Sequence, residues 1–326
     1  MKFIYNTNTD PYFNLAAEEH LMDSYSSEVF MLWRNAPCVV IGKNQNAYAE
    51  IDGAYVKREN IIVVRRNSGG GAVFHDFGNV NFTFISECNS GVQANFRKFT
   101  LPVIAALQNL GIAAEFSGRN DITVNGLKVS GNAQYYRGNR VLHHGTLLYS
   151  GNIGMLAAAL KPNRHKLQAK GVSSVKSHVA NIETFLAEKQ PVEWFLQYLF
   201  QFCRNSQVDA EEYNFTAADL VGINHLRTTK YLSREWTYGK KPQFNYCVEQ
   251  RFVGGIVELF LDVQNEIIVA AEIRGDFFGK CNVAGLEQIL VGTRFERAAV
   301  KRELAGINLD EYLSGISADE LVSLLP

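Results

Sequence analysis

Three consecutive glycines, Gly69 to Gly71, constrain this chain more than any other stretch of its sequence. They follow the β-branched run IIVVRR and precede AVFHD. Glycine loses more conformational entropy on folding than any other residue, so a run of three is costly unless the backbone must turn tightly. One or two glycines usually indicate only a turn after a buried strand. With Arg65, Arg66 and Ser68 directly before it, this loop can bind a phosphate through amide N–H groups and a guanidinium.

Two common phosphate-binding patterns do not occur in the chain. The spacing GxxxxGK[ST] and the dinucleotide pattern GxGxxG are both missing, so the loop is neither a P-loop nor a Rossmann turn. His75 and Asp76 follow the glycines and could hold a metal or act as a general base. Adjacent residues of a strand point to opposite faces, which favours the alternative that they stabilise the turn.

Length and composition predict a folded protein of about two domains. The chain has 326 residues, of which 47% are hydrophobic and 20% are charged, enough for a sizeable core at the usual ~100–200 residues per domain. The formal net charge of -1 argues against nucleic acid or an anionic membrane as the main partner. No apolar stretch approaches the ~20 residues that cross a bilayer, and no signal peptide is recognisable, so we expect a cytoplasmic protein.

The cysteines predict neither a disulfide framework nor a zinc cluster. They are odd in number, widely spaced and form no CxxC pair; they are Cys38, Cys88, Cys203, Cys247 and Cys281. Reduced thiols in a cytosol fit this pattern best.

The order of the predicted elements indicates an α+β fold with mixed, largely antiparallel sheets packed against helices. Asp10 and Pro11 supply an N-cap and a first-turn proline for a helix through NLAAEEHLMDSY. Runs such as CVVIG, IIVVRR and NVNFTFIS are typical of strands. The dipeptides NG at 125–126 and GN at 138–139 are hairpin signals, so the strands around them should be antiparallel.

The stretch YGKKPQFNY, residues 238–246, is the best candidate for a linker. Gly, Pro and Asn punctuate it, and the pattern changes on either side. We therefore expect one domain at 1–245 and a small α+β accessory domain at 246–326, of roughly 80 residues. The accessory domain should begin with strands such as GIVELFLDV and end with helices such as ERAAVKRELAGI.

A second polar cluster lies in GRNDITVNGLKVSGNAQ, residues 118–134. Lys128 follows a hairpin turn, where a solvated edge lysine is the ordinary interpretation. A lysine held in a dry site would instead stabilise negative charge on phosphorus oxygens and on an attacked carbonyl. Asn120 and Asp121 could cap a turn, or Asp121 could hold Mg²⁺ between phosphate oxygens.

Together these stretches resemble the lipoate-protein ligases, which have a biotin/lipoate ligase-like catalytic fold. RRNSGGGAVFHD, NDITVNGLKVSGNAQ and HHGTLLYS occur in this order and are similar to three signatures of that family. NLAAEE, LWRNAPCVVIGKNQN and VSSVKSHVANI also match, and the resemblance covers most of residues 1–240. Two-domain members of the family have an accessory domain of similar size after the catalytic one.

The resemblance implies an ATP-dependent enzyme with two half-reactions. The carboxylate of lipoate, or of octanoate, attacks the α-phosphorus of ATP and gives lipoyl-AMP and pyrophosphate. A lysine amine of a carrier then attacks the mixed anhydride and releases AMP. The implied carriers are apo lipoyl domains of 2-oxoacid dehydrogenase E2 subunits and the glycine cleavage H protein, and the implied cofactors are ATP and Mg²⁺.

The resemblance also implies roles for individual residues. Lys128 would contact the α-phosphate and the acyl carbonyl oxygen, and Asp121 would hold Mg²⁺. The residues implied to bind the nucleotide are Arg66, Gly71, Ala72, Val73, Phe74, Asn79, Asn120 and Lys128. The residues implied to contact the lipoyl group are Leu15, Trp33, Ser68, Lys128 and His144.

Two other functions stay open at this point. An octanoyl or lipoyl transferase that uses a cysteine thioester would need a nucleophilic thiol near Lys128. No cysteine occurs between Asn89 and Phe202, which leaves Cys88 and Cys38 as candidates. A non-catalytic protein that binds lipoate or lipoyl-AMP and regulates a partner would use the same binding residues as the ligase, so only turnover separates the two.

Overall fold

The computed structural model of the chain describes residues 1–88, 95–118, 120–161, 178–239 and 244–326. Most of the motif VSSVKSHVANI and the centre of the predicted linker, 240–243, lie outside these residues. The described strands are β1 (Lys2–Tyr5), β2 (Val29–Trp33), β3 (Cys38–Ile41), β4 (Ile62–Arg65), β5 (Val73–His75), β6 (Asn79–Glu87), β7 (Ala114–Ser117), β8 (Asp121–Val124), β9 (Leu127–Arg137), β10 (Arg140–Leu148), β11 (Glu211–Glu212), β12 (Tyr246–Phe252), β13 (Gly255–Gln264) and β14 (Ile267–Gly275).

The helices lie between and outside these strands. The described α-helices are α1 (Pro11–Ser24), α2 (Ala47–Glu50), α3 (Gly53–Arg58), α4 (Phe96–Asn109), α5 (Ile153–Ala159), α6 (Val192–Asn205), α7 (Ala217–Leu226), α8 (Arg234–Tyr238), α9 (Ala284–Leu290), α10 (Arg297–Glu303) and α11 (Ala318–Val322). A π turn at Arg227–Tyr231 lies between α7 and α8. None of the described helices is long and apolar enough to cross a membrane.

An eight-stranded sheet forms the framework of the N-terminal part. Its strand order is β11-β1-β2-β6-β10-β9-β8-β7. The pairs of β1 with β2 and β11 are parallel, and the other pairs are antiparallel. Both predicted hairpins are present, and Asn125 (φ 52°), Gly126 (φ 76°) and Gly138 (φ 58°) adopt the left-handed conformation that such turns need. The α+β fold class is thus confirmed, with the mixed and largely antiparallel sheets that the sequence predicted.

Helix α1 packs between the large sheet and a smaller sheet of β4, β3 and β5. The predicted N-cap is confirmed, because the side chain of Asp10 accepts a hydrogen bond from the amide of Tyr12. The helix is buried on most of its surface, including Leu15, Glu18 and Glu19. Two carboxylates are therefore placed inside the protein, where they need partners.

The C-terminal part has its own sheet and its own hydrophobic core. Strands β12, β13 and β14 form an antiparallel sheet, as the sequence predicted for this region. The apolar side chains of this sheet pack against α9, α10 and α11; Val257 and Leu261 of β13 and Leu286 of α9 are fully buried in this core. A separate core is what a small accessory domain requires.

Candidate functional site

Arg66 lies beneath the glycine loop and holds its shape. Its Nη2 donates to the carbonyl oxygens of Gly69 (2.6 Å) and Gly71 (2.8 Å). Its Nε donates to Oγ of Ser68 at 2.9 Å, and its Nη1 donates to the carbonyl oxygen of Val40 at 3.2 Å. Burial lowers the pKa of Arg66 to about 10, so the group stays protonated at neutral pH. Arg66, which the sequence predicts to bind the nucleotide, thus stabilises the conformation of the glycine loop through its carbonyl oxygens.

Arg65 points away from the loop and joins separate backbone segments. It donates to the carbonyl oxygens of Gly42, Lys43, Gln45, Trp236 and Thr237. Removing a guanidinium from water costs on the order of several kcal/mol unless its N–H groups are bonded, and these carbonyls provide the bonds. In the part of the chain that the structure describes, Arg65 and Arg66 form no ion pair with a carboxylate.

The glycine loop is closely packed at Gly70 and open at Gly71. A Cβ on Gly42 would lie 2.0 Å from the carbonyl oxygen of Gly70, so only glycine allows this approach. Gly70 has a φ of +87°, which side chains rarely adopt. A Cβ on Gly71 would have no atom within 4 Å. Free space therefore adjoins Gly71, which the sequence predicts to contact the nucleotide.

A loop of the C-terminal part lies against this glycine loop. The amide of Gly70 donates to the carbonyl oxygen of Phe277 at 3.4 Å. A Cβ on Gly70 would lie 2.9 Å from Cε1 of Phe278, whose ring also packs against Phe96 with centroids 5.6 Å apart. In this arrangement, one amide of the predicted phosphate-binding loop already has a partner from the C-terminal part.

A chain of buried hydrogen bonds joins Ser68 to α1. Oγ of Ser68 lies 2.6 Å from Nε2 of His144, and Nδ1 of His144 lies 2.9 Å from Oε1 of Glu18. Glu18 also accepts a hydrogen bond of 2.7 Å from Oγ1 of Thr83, which accepts one of 2.9 Å from Nε1 of Trp33. Trp33, Ser68 and His144, three residues predicted to contact the lipoyl group, thus share one network.

Glu18 is the centre of this network, and sequence analysis assigned it no role. The available signal was its position in NLAAEE, three residues after Leu15, because residues three apart lie on one face of a helix. Leu15 is 2% exposed and Trp33 is 3% exposed, and both belong to an apolar cluster that includes Val40 and Leu142. The network therefore borders an apolar wall on one side and the glycine loop on the other.

Lys128 lies at the start of β9 and pairs with Asp121 on β8. Nζ of Lys128 is 2.7 Å from Oδ1 of Asp121, and the Lys128 side chain is 41% exposed. A Cβ on Gly131 would lie 3.1 Å from Nζ of Lys128, so the missing side chain at 131 leaves room for the ammonium group. The backbone of Lys128 also bonds to His178 and Ala180, which fixes this end of β9 on the side away from β8.

The two clusters lie on one face of the large sheet. Gly131 and Ala133 are two residues apart on β9, so both face the same side, about 7 Å apart. Ala133 is the cross-strand partner of His144, whereas Gly131 lies beside the Lys128 ammonium. The cation and the hydrogen-bonded network around His144 thus lie beside successive positions of the same sheet face.

Of the remaining predicted nucleotide residues, three directly follow the glycine loop, whereas Asn79 begins β6 and Asn120 directly precedes β8. Ala72, Val73 and Phe74 lead into or form β5, and Phe74 is 4% exposed. The Asn79 amide donates to Oδ1 of Asn81 at 2.8 Å. The Asn120 amide donates to the carbonyl oxygen of Asn132. Both asparagine amides thus have partners within the protein.

His75 and Asp76 point in different directions, as expected for neighbours on a strand. The carboxylate of Asp76 accepts from the amides of Gly78 (2.8 Å) and Asn152 (2.7 Å), which confirms its role in the turn. His75 is buried beside Trp33, and Nδ1 of His75 accepts a hydrogen bond of 3.1 Å from Asn35. Among the described residues, no three His, Cys, Asp or Glu side chains are placed to hold a metal ion.

The chain matches two protein families along most of its length. The lipoyl protein ligase A/B catalytic domain matches residues 10–204. The bacterial lipoate protein ligase C-terminus matches residues 241–325.

Related sequences and structures agree with these matches. Lipoate-protein ligase LplJ of Bacillus subtilis is 42% identical, and lipoate-protein ligase 1 of Staphylococcus aureus is 40% identical, in each case over 100% of both chains. The structure of P. falciparum LipL1 in complex with lipoate has a TM-score of 0.76 and 25% identity, and covers 94% of this chain and 95% of that one. A lipoate-protein ligase A bound with ATP has a TM-score of 0.65 and 26% identity, and covers 73% and 98%. The chain therefore belongs to the lipoate-protein ligase family, in the form with a C-terminal domain.

Proposed function

We propose that this protein is an ATP-dependent lipoate-protein ligase that forms lipoyl-AMP and transfers the lipoyl group to a lysine of a carrier domain. One observation carries the proposal: a single sheet face holds the Lys128–Asp121 pair, the apolar wall around Trp33 and the edge of the glycine loop. An acyl-adenylate is complementary to these three features, since its apolar tail leads to a carbonyl group and then to a phosphate.

In the first half-reaction, a lipoate carboxylate oxygen forms a bond to the α-phosphorus of ATP, and the bond to pyrophosphate breaks. The apolar wall holds the eight-carbon chain, where each buried methylene contributes about 0.8 kcal/mol. The Lys128 ammonium stabilises the negative charge that builds up on the α-phosphate oxygens. Backbone amides around Gly71 face the same anion.

In the second half-reaction, the neutral carrier amine attacks the acyl carbonyl carbon, AMP leaves, and the nitrogen loses a proton. Negative charge now develops on the carbonyl oxygen, which Lys128 also stabilises. Carriers of the proposed chemistry are apo lipoyl domains of E2 subunits and the glycine cleavage H protein. A structural neighbour described as a bi-partite lipoate protein ligase with its E2 lipoyl domain, from Thermoplasma acidophilum, supports the first of these.

Asp121 is the residue that would hold Mg²⁺. Magnesium is usually bound by one or two carboxylates together with substrate phosphates and water, so a single carboxylate beside the proposed phosphate site fits this ion. The ion would supply further charge neutralisation at the phosphates. Asp121 itself fixes the Lys128 ammonium through their 2.7 Å ion pair.

The thioester alternative is not favoured by the cysteine environments. Burial raises the pKa of the Cys88 thiol and that of the fully buried Cys38 thiol, so neither is a ready thiolate nucleophile. All five cysteines are free, which suits a reducing cytoplasm. The regulator alternative shares the binding site and differs only in turnover.

The proposal is tested with the purified protein, ATP, Mg²⁺ and lipoate, together with an apo lipoyl domain or apo H protein. Intact mass spectrometry should show one lipoyl addition on the carrier, which disappears when ATP is omitted. Octanoate in place of lipoate measures the acyl preference. If lipoyl-AMP binds but no carrier gains mass, the regulator is the better description.

We also propose a domain boundary at 245, with a catalytic domain at 1–245 and an accessory domain at 246–326. The separate core of the C-terminal sheet supports this division. Limited proteolysis should cut first within 238–246 and release two folded fragments. Cleavage within 1–230 before any cut in that stretch would contradict the boundary.

A further inference from the structure

Residues 65 to 68 alternate between two environments. Arg66 and Ser68 face the glycine loop and His144, as described above. Arg65 and Asn67 face the opposite side, where both bind the segment 227–238. Arg65 donates to the carbonyl oxygens of Trp236 and Thr237, while Nε1 of Trp236 donates back to the carbonyl oxygen of Arg65. The segment 227–238 therefore contacts the residues before the glycines on the side opposite to the Ser68–His144 contact.

The amide of Asn67 is fully used in this contact. Its Oδ1 accepts a hydrogen bond of 2.8 Å from Nζ of Lys230. Its Nδ2 donates to Oε2 of Glu19 at 3.0 Å and to the hydroxyl of Tyr231 at 2.8 Å. A side-chain amide bonded at both ends has one orientation, so the backbone of Asn67 is fixed between Arg66 and Ser68.

Glu19 completes the cluster from α1. It accepts a hydrogen bond of 2.6 Å from the Tyr231 hydroxyl and pairs with Lys230 at 2.8 Å and 2.9 Å. The Lys230 ammonium also lies 4.1 Å from the centre of the Trp236 ring. Lys230 and Tyr231 belong to the π turn at Arg227–Tyr231, a rare conformation that is frequent at functional sites.

We propose that Lys230 and Tyr231 are positioning residues, which set the geometry of the glycine loop through Asn67. This inference rests on the proposed function, because the loop is taken as the surface that binds the acyl-adenylate. Neither side chain needs to touch the ligand. Loss of either should weaken ligand binding, since small displacements of positioning groups are costly even when they are remote from the reacting atoms.

The chain offers a matched control in a second tyrosine–carboxylate hydrogen bond. The Tyr25 hydroxyl donates at 2.6 Å to Oδ1 of Asp219, a buried carboxylate on α7. This bond joins Tyr25, the C-cap residue of α1, to α7, and its acceptor Asp219 makes no contact with the glycine motif among the described hydrogen bonds. Tyr25→Phe and Tyr231→Phe therefore each remove one hydroxyl that donates to a buried carboxylate.

The experiment measures the affinity for chemically prepared lipoyl-AMP and the thermal midpoint of both variants in the full-length protein. Both should lose a similar amount of thermal stability. Only Tyr231→Phe should weaken lipoyl-AMP binding, by about tenfold, because Asn67 is then less firmly held and the glycine loop is displaced from its binding geometry. Lys230→Met should give the same phenotype, and Lys230→Arg should recover part of the affinity.

The outcomes separate the inference from the proposed function. If wild-type protein does not bind lipoyl-AMP, the proposed function fails and this inference fails with it. If wild-type protein binds, but Tyr231→Phe and Tyr25→Phe bind within about twofold of each other, the hydroxyl of Tyr231 is only structural. Should Tyr231→Phe not fold, the ratio between Lys230→Met and Tyr25→Phe decides in the same way.

Discussion

The ammonium group of Lys128 lies 2.7 Å from Oδ1 of Asp121. The pair spans β8 and β9, and the absence of a side chain at Gly131 gives it space above the sheet. A cation held in this way can approach a ligand on the open side while its carboxylate partner limits its movement. The catalytic proposal therefore makes its sharpest predictions here.

Lys128→Ala should slow both half-reactions. Removing one preorganised donor of this kind typically costs about 10²–10³ in rate. Pyrophosphate release with lipoate measures the first step, and single-turnover mass gain of the carrier from lipoyl-AMP measures the second. Lys128→Arg should be a poor substitute, because a planar fork does not reproduce a compact point charge.

The control for this experiment is Lys301→Ala, which breaks an exposed 2.7 Å pair with Asp319 in the C-terminal part. Exposed pairs contribute little to stability, ~0–1 kcal/mol, so this variant should keep its activity. If folded Lys128→Ala keeps both rates within about threefold of wild type, the assignment of Lys128 as catalytic is wrong even for a true ligase.

Gly71→Val should reduce lipoyl-AMP affinity without loss of stability. A side chain at 71 meets no protein atom within 4 Å, so only a ligand in that space would be displaced. Overpacking typically costs about 1–3 kcal/mol, which corresponds to roughly 5- to 150-fold in affinity. Gly70→Val should lose both affinity and stability, because φ is +87° and Phe278 is in the way. Unchanged affinity in Gly71→Val would exclude a ligand at this position.

Replacement of all five cysteines should leave ligation within about threefold of wild type, since the proposed chemistry uses no thiol. Ala is suitable at Cys38 and Cys203, which are buried, and Ser at the other positions. Carrier mass gain measures the activity, and circular dichroism checks the fold. Loss of turnover in a folded Cys88→Ala variant alone would instead support the thioester mechanism.

Stability should fall as the pH is lowered from 6.5 to 4.5. Burial lowers the pKa of His75 to about 3, with Arg66 and His144 adding to the effect, and burial also lowers the pKa of His143 well below its usual value. Between about pH 6.5 and 3 the unfolded chain binds a proton at His75 that the folded protein does not, so the free energy of unfolding decreases by about 1.4 kcal/mol per pH unit from this residue. His143 adds a decrease in the same direction.

Urea unfolding of His75→Asn across this range checks the prediction. The variant keeps an acceptor for Asn35 and should show a slope smaller by about 1.4 kcal/mol per pH unit. His225→Asn, at an exposed position on α7, should leave the slope unchanged. Equal slopes in wild type and His75→Asn would mean that His75 is protonated in the folded protein.

Local signals predicted much of the fold. The N-cap of α1 and the turns at Gly126 and Gly138 depend on residues that are close in sequence, and all are present in the structure. Sequence analysis also placed Lys128 on a strand after a hairpin, as observed. Such features are readable because their partners lie within a few residues.

The contacts around the candidate site could not be predicted from residues that are close in sequence. Arg65 binds carbonyl oxygens of residues more than 170 positions away, and backbone acceptors carry no sequence signature. Glu18 reaches His144 across 126 positions. The π turn between α7 and α8 also has no simple local pattern, since its Lys230 side chain contacts Glu19 and Asn67, which are distant in sequence.

The burial of Arg65 and Arg66 on backbone carbonyls has an electrostatic consequence. The Arg66 guanidinium lies under the glycine loop and the Arg65 guanidinium lies on the opposite side of the preceding strand; neither has a contact ion pair among the described residues, so carbonyl dipoles rather than counter-ions solvate them. The pKa values of about 10 keep both charges in place throughout the neutral range. A chain with a formal net charge of -1 can thus maintain a permanent positive potential at a single loop, which attracts a polyanion to that loop.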